Sequence, residues 1–373
     1  MLKMSQTRWL SRGHVITRII EQWDALKLFF EAEMKTESVK FDGAGEIYKT
    51  LVNCGTKHML LFLNYIIGKV EKMNLEFQSE YFRLGSLYAI IADEYRSILA
   101  MFIREDVVLT KKLDDIDPTD NSLHKNLEEI NLGGRCQAQL LKEPIADKGA
   151  KKRFLLDCQQ FLVELCKQIK KRFPLAEDCL LAKLHVIEPK EALNPNRRVK
   201  SIAELAIHFP TLVMEEDYDD LEDQWQDLLT AKESLRDLSD KATSFWQEIL
   251  TVKDGNNHVK YQLLSKLMCG LLALPHSSAC VERIFSMVNI IKTKQANRLQ
   301  AEAVADRILA KQAISRHGGE CYVWKPSPSL ISDVKTGKCH QRYVQRTSQH
   351  DEATLHSCEP ENVDDPPLPI FLQ

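Results

Sequence analysis

The chain has 373 residues, of which 44% are hydrophobic and 28% charged, and its formal net charge is −3. This is ample apolar material for a buried core, at a length that suits two or three domains. The slight acidity excludes a general polyanion binder, so any nucleic-acid contact has to be local.

The cysteines are scattered without a C-x-x-C spacing; Cys158 and Cys166 lie eight apart on a helical pattern, and Cys339 adjoins His340. That excludes a disulfide framework and a zinc finger, and points to free thiols in a reducing compartment. The most apolar run, Met59 to Ile67, is interrupted by Asn64. It falls far short of the roughly 20 residues that span a bilayer. With no leader pattern at the N-terminus, the expectation is a soluble protein of the nucleus, or alternatively the cytoplasm, with no membrane contact.

In chain order, Ile16, Ile19, Ile20, Trp23, Leu26 and Phe30 recur at helical spacing, with Arg18, Glu21, Asp24 and Lys27 off the stripe. This predicts an amphipathic helix from about Gly13 to Met34. Residues 36–50 are polar, with Gly43 and Gly45, and read as a loop or short helix start. From Leu51 to Arg104, one stripe runs through Phe62, Ile66, Val70, Met73 and Phe77. Another runs through Tyr81, Leu84, Leu87, Tyr88, Ile91, Tyr95, Ile98 and Phe102, so two or three helices with core aromatics are expected.

Residues 105–150 carry breaker signals, among them Pro118, Gly133, Gly134 and Pro144. The acids Asp114, Asp115, Asp117 and Asp120 lack the central Gly and closing Glu of a calcium loop. They read as a solvated loop with Asx turns. Phe154, Leu155, Cys158, Phe161, Leu162, Leu165, Ile169 and Phe173 form a further helix, stopped by Pro174. Lys151–Arg153 precede it, and Lys167, Lys170, Lys171 and Arg172 close it. Cations suit a helix C-terminus, and a local nucleic-acid surface or a nuclear-import signal is the alternative.

A short apolar element follows at Leu180–Ile187, then a helix-like run from Ile202 to Val213 interrupted by Pro210. The acids Glu215, Glu216, Asp217, Asp219, Asp220, Glu222 and Asp223 open a helix whose stripe is Leu221, Trp225 and Leu228. Clustered carboxylates there complement the helix dipole. Phe245 and Trp246, then Tyr261, Leu264, Leu267, Met268 and Leu271, lead to Pro275, Ser277 and Ser278. A Pro and two Ser before an apolar-periodic run mark a helix start. Val281, Ile284, Phe285, Val288 and Ile291 then share one face, and Glu282 sits in the first turn. Lys292, Lys294, Asn297 and Arg298 follow, then a second apolar-periodic segment through Val304, Ile308 and Leu309.

The wording of four stretches resembles the hAT family of transposases. "LPHSSACVERIFSMVNIIKTKQANRL" is similar to the family's C-terminal dimerisation region, with its "SSA-x-x-ER-x-FS" and basic "K-x-x-x-NRL". "TRWLSRGHVITRIIEQWDALKLFF" resembles the point where such chains enter their helical insertion domain. Phe245-Trp246 and the acidic segment around Trp225 also follow the pattern. One departure is Gln295-Ala296-Asn297-Arg298-Leu299, where the family has a further Arg.

The resemblance implies an RNase H-like nuclease ancestry, in which two Asp and one Glu hold metal ions for strand transfer. Glu282 corresponds to that Glu; as a helix N-terminal carboxylate it also has a plain structural reading. The two Asp would lie on strands upstream of Thr7, so the expectation is no enzyme, no metal and no cofactor. No nucleophile elbow, phosphate loop, dinucleotide fingerprint or H-E-x-x-H motif offers other chemistry. The expected architecture is mainly α, a helical remnant of such a transposase. Residues 1–250 would form the helical insertion-like domain, 251–315 the dimerisation region and 316–373 a mostly disordered tail. The expected function is association through Val281, Ile284, Phe285, Val288, Ile291, Leu299, Val304 and Ile308, as a homodimer or with other hAT-like proteins. DNA binding or processing is the alternative, with a weak nucleic-acid contact through Lys292, Lys294 and Arg298.

Overall fold

The computed structural model describes residues 9–35, 43–79, 82–235, 238–293, 295–316, 319, 321–322 and 324–336. The first two helices, α1 (Trp9–Glu21) and α2 (Trp23–Lys35), correspond to the single helix expected there. They are interrupted at Gln22, whose N–H still donates to Arg18 O at 3.0 Å and whose carbonyl accepts from Leu26 at 2.8 Å. The stripe survives the interruption. Trp23 and Phe30 are buried in a small cluster with Ala44 and Leu51 of α3 (Ala44–Val52).

Two long helices then carry the main core. α4 (Cys54–Phe77) starts where the Asn53 side chain accepts from the Gly55 N–H. It is followed by α5 (Leu84–Leu99). Phe62, Ile66, Val70 and Met73 of α4 and Leu87, Ile91, Tyr95 and Ile98 of α5 are all buried, as their spacing predicts. Tyr81 lies outside the described residues.

The region 105–150 is mostly short elements: α6 (Glu105–Thr110), three single 3-10 turns and α7 (Gly134–Lys142). The acidic loop makes Asx turns. Asp117 accepts from the N–H and hydroxyl of Thr119, and Asp120 accepts from the Ser122 N–H. Those hydrogen bonds hold both carboxyls below the usual Asp range. α8 (Lys148–Arg172) is capped by Asp147, which accepts from the Gly149 and Ala150 N–H groups. Leu155, Cys158, Leu162, Cys166 and Ile169 of α8 are buried against α4 and α5. Phe161 sits at the edge of that stripe, 37% exposed, with its ring edge-to-face on Phe62.

The elements α9 (Leu180–Lys183), α10 (Pro189–Ala192) and α11 (Ala203–Ala206) are single turns. The run from Ile202 to Val213 therefore gives only one turn, with Pro210 downstream denying the ladder a donor. Its apolar residues Ile202, Leu205, Ala206 and Val213 are buried all the same. α12 (Tyr218–Thr230), α13 (Ala242–Ile249) and α14 (Gln262–Leu272) complete the core with Leu221, Trp225, Trp246, Tyr261, Leu264 and Met268.

A buried cation joins these parts. Arg197 is 2% exposed, and its guanidinium lies 3.6 Å from the centre of the Trp225 ring. It donates to Ala192 O at 3.2 Å, Trp225 O at 3.1 Å and Gln226 Oε1 at 3.3 Å. Burial pulls its pKa down to about 10. Nearby, Glu222 accepts from the Ser201 hydroxyl and the Ile202 N–H, so this expected dipole-facing acid also ties α12 to α11.

The chain packs as two units, Met1–Ala279 and Cys280–Gln373. The second contains α15 (Ala279–Ile291) from Cys280 onward, α16 (Ala301–Arg316) and α17 (Pro328–Lys335). Of the tail expected from 316, residues 337–373 lie outside the described residues; before them α17 is a short helix capped by Ser327. The protein is mainly α. Among the described residues there is no strand, only the isolated bridges Ile103–His124 and Lys253–Val259. No helix among them is long and apolar enough to cross a membrane.

Candidate association surface

The segment from α14 to α16 is built by simple punctuation. α14 buries Leu264, Leu267, Met268 and Leu271 completely. Its ladder ends with Ala273 and Leu274 bonding back to Cys269 and Leu271. Pro275 cannot continue it. Ser277 then caps the next helix: its Oγ accepts from the Ala279 N–H at 3.3 Å. Of the two serines that the pattern allows as caps, Ser277 therefore serves this N–H.

α15 is apolar yet open. Val281 is 50% exposed, Ile284 39% and Phe285 63%. Val288 and Ile291, on the same face, are half-buried, as is Leu299 after the helix. Val304 and Ile308 of α16 are buried. The structure thus divides the eight predicted association residues. Val281, Ile284 and Phe285 are available to a partner, whereas Val304 and Ile308 have little surface left to give. Ile290, which was not among the eight, is 67% exposed. It lies about half a turn around the helix from Val281, off the stripe that the spacing selects.

The predicted polar residues are also placed. Glu282 is exposed in the first turn of α15. Among the described residues no group of three or more His, Cys, Asp or Glu is placed to hold a metal ion. Lys292 and Arg298 are exposed; Lys294 lies outside the described residues. The basic ends of α8 are largely committed to internal contacts. Lys151 pairs with Glu128 at 2.6 Å, and Arg153 reaches Asp147 at 4.0 Å. Lys170 donates to the Asp114 and Ile116 carbonyls.

The family model of the hAT family C-terminal dimerisation region matches residues 225–314. This part of the chain is similar to a hAT dimerisation region, which supports a hAT transposase-derived protein. No curated protein and no solved structure matches the chain.

The hAT region opens at Trp225, the residue under the Arg197 guanidinium. Its first half, from Trp225 through α14, contributes Trp225, Trp246, Tyr261 and Leu264 to the core of the first unit. Its second half holds α15 and nearly all of α16. The expected dimerisation region, 251–315, lies largely within this match. Two anchors of the first half, Arg197 and Asp227, were not singled out from the sequence. Asp227 Oδ2 accepts from both Tyr261 OH and Lys260 Nζ at 2.7 Å. Burial opposes its charge, but the hydrogen bonds from Lys260, Tyr261 and Thr230 outweigh it and hold its pKa below the ordinary value.

Proposed function

We propose that this chain works by self-association through the open face of α15. A hAT dimerisation region implies a dimerisation role in a transposase-related protein. The observation that carries the homodimer reading is the exposure of Phe285, 63%, with Val281 and Ile284 beside it on one helix face. Apolar side chains grouped this way gain by being covered, on the order of 1–2 kcal/mol for each large residue. Other hAT-like chains, carrying the same region, are the alternative partners. The experiment is light scattering with sedimentation equilibrium on the wild type and on Phe285→Asp. The wild type should be dimeric at micromolar concentration, and the variant a folded monomer with an unchanged circular dichroism spectrum. A wild type that stays monomeric at that concentration sinks the reading.

The proposal extends to chemistry and place. We infer a non-catalytic protein that acts in the nucleus. What supports the first is that, among the described residues, no group of three or more His, Cys, Asp or Glu is placed to hold a metal ion. What supports the second is the hAT relationship alone, as it does the RNase H-like ancestry. Incubation with supercoiled DNA and Mg²⁺ or Mn²⁺ should give no nicking. Nicking that vanishes in Glu282→Gln would replace this reading with a DNA-processing one. Imaging of the tagged full chain checks its compartment, and exclusion from the nucleus would refute that assignment.

A further inference from the structure

The segment just ahead of α15 is tied to a distant helix end, and both ties come from side chains. The Ser277 hydroxyl donates to Phe77 O, and His276 Nε2 bonds Ser79 O at 3.1 Å. Since a carbonyl only accepts, Nε2 carries the proton. Phe77 is the last residue of α4, so its carbonyl is one of the groups that a helix leaves without an intrahelical partner. The α4 end is itself fixed, because the Phe77 ring stacks on Phe173 just past α8, with centroids 5.3 Å apart and an interplanar angle of 18°. The same Ser277 oxygen accepts from the Ala279 N–H at 3.3 Å. One hydroxyl therefore closes the end of α4 and opens α15 at once. All the residues in this arrangement belong to the first unit.

We propose that Pro275–Ser277 is a strap, and that His276 and Ser277 are positioning residues for self-association. They keep the first turn of α15 folded, and with it Val281, Ile284 and Phe285 in register on one face. Neither residue need touch the partner. The idea rests on the dimer reading above, and deepens it by naming what holds the surface ready. Ordering the turn before association removes a conformational cost that would otherwise fall on binding.

The test compares wild type, His276→Ala/Ser277→Ala, Ser277→Thr and Phe285→Asp by sedimentation equilibrium, with amide hydrogen exchange on each. The double variant should weaken the dimer about fivefold to tenfold, the scale of a lost helix cap with its second contact. Exchange should quicken at residues 279–283 in that variant, and stay slow in α14. Ser277→Thr keeps the hydroxyl, and should restore both readouts to near the wild-type level. A double variant with wild-type affinity, while Phe285→Asp is monomeric, overturns the strap and leaves the dimer reading standing. If Phe285→Asp also associates like wild type, the dimer reading fails and the strap proposal fails with it. Fast exchange throughout α14 in the double variant would show a general folding role, and would likewise overturn the proposal.

Discussion

Trp246 and Phe285 are both aromatic residues on striped helices of the same hAT region, yet their surroundings are opposite. Trp246 is fully buried, its indole N–H donates to Ile187 O at 2.7 Å, and its ring meets Phe245 edge-on. Phe285 is 63% exposed. The first half of the region spends its apolar surface on the core of its own unit, and α15 keeps much of its own open. The difference separates two kinds of hydrophobic residue. One kind holds the folded core together; the other leaves apolar surface that the proposed self-association would cover.

Substitutions that break this contrast can be ranked. Trp246→Ala should cost about 3–5 kcal/mol of folding stability, from the lost volume and the orphaned Ile187 carbonyl. Urea unfolding measures it, and a loss under about 1 kcal/mol would mean that the site is not packed as described. Arg197→Met should cost less, about 2–3 kcal/mol. It keeps an unbranched stem over Trp225 but removes the guanidinium donors to the Ala192 and Trp225 carbonyls. A more stable variant would show instead that desolvating the guanidinium outweighs its bonds. Phe285→Ala sharpens the comparison from the other side. It should change stability by no more than about 0.5 kcal/mol, as surface substitutions do, while raising the dimer dissociation constant roughly tenfold.

The smallest effect concerns pH. The folded pKa of Asp227 lies below its ordinary value of 3.8, so its charge contributes stability at pH values above that. The contribution fades as pH falls from 3.8 through the lowered folded value. Asp227→Asn should therefore melt earlier than wild type at pH 6, and the gap should narrow below pH 3.8. Melts at a series of pH values check this, and a constant gap would mean that packing, not charge, accounts for it.

Much of the helical order was legible, because a 3.6-residue period shows wherever one face of a helix is buried. Phe62 to Met73, Ile91 to Ile98 and Leu155 to Ile169 all declared themselves this way. Phe285 and Val304 show where the signal stops. Both sit at helical spacing among apolar neighbours, and nothing in the spacing tells which residue is covered within the chain and which is left open. Arg197 was hidden for a different reason. An Arg in a turn reads as surface, and its burial depends on α12 arriving from 28 residues further along. Ser277 was half visible. Its capping role follows from local sequence, whereas its bond to Phe77 joins positions 200 residues apart.

The buried thiols give the first unit a chemical record of its own opening. Cys136, Cys158 and Cys166 are closed off from solvent, and burial pushes all three thiols upward, that of Cys136 to about 11. A folded molecule at neutral pH thus presents almost no thiolate at these positions to an alkylating reagent. Each modified peptide then marks a molecule whose core has come apart, if only briefly. Labelling with iodoacetamide over hours, read peptide by peptide, would time that opening without denaturant. Run on Trp246→Ala and Phe285→Ala side by side, it would speed up for the first and leave the second close to wild type.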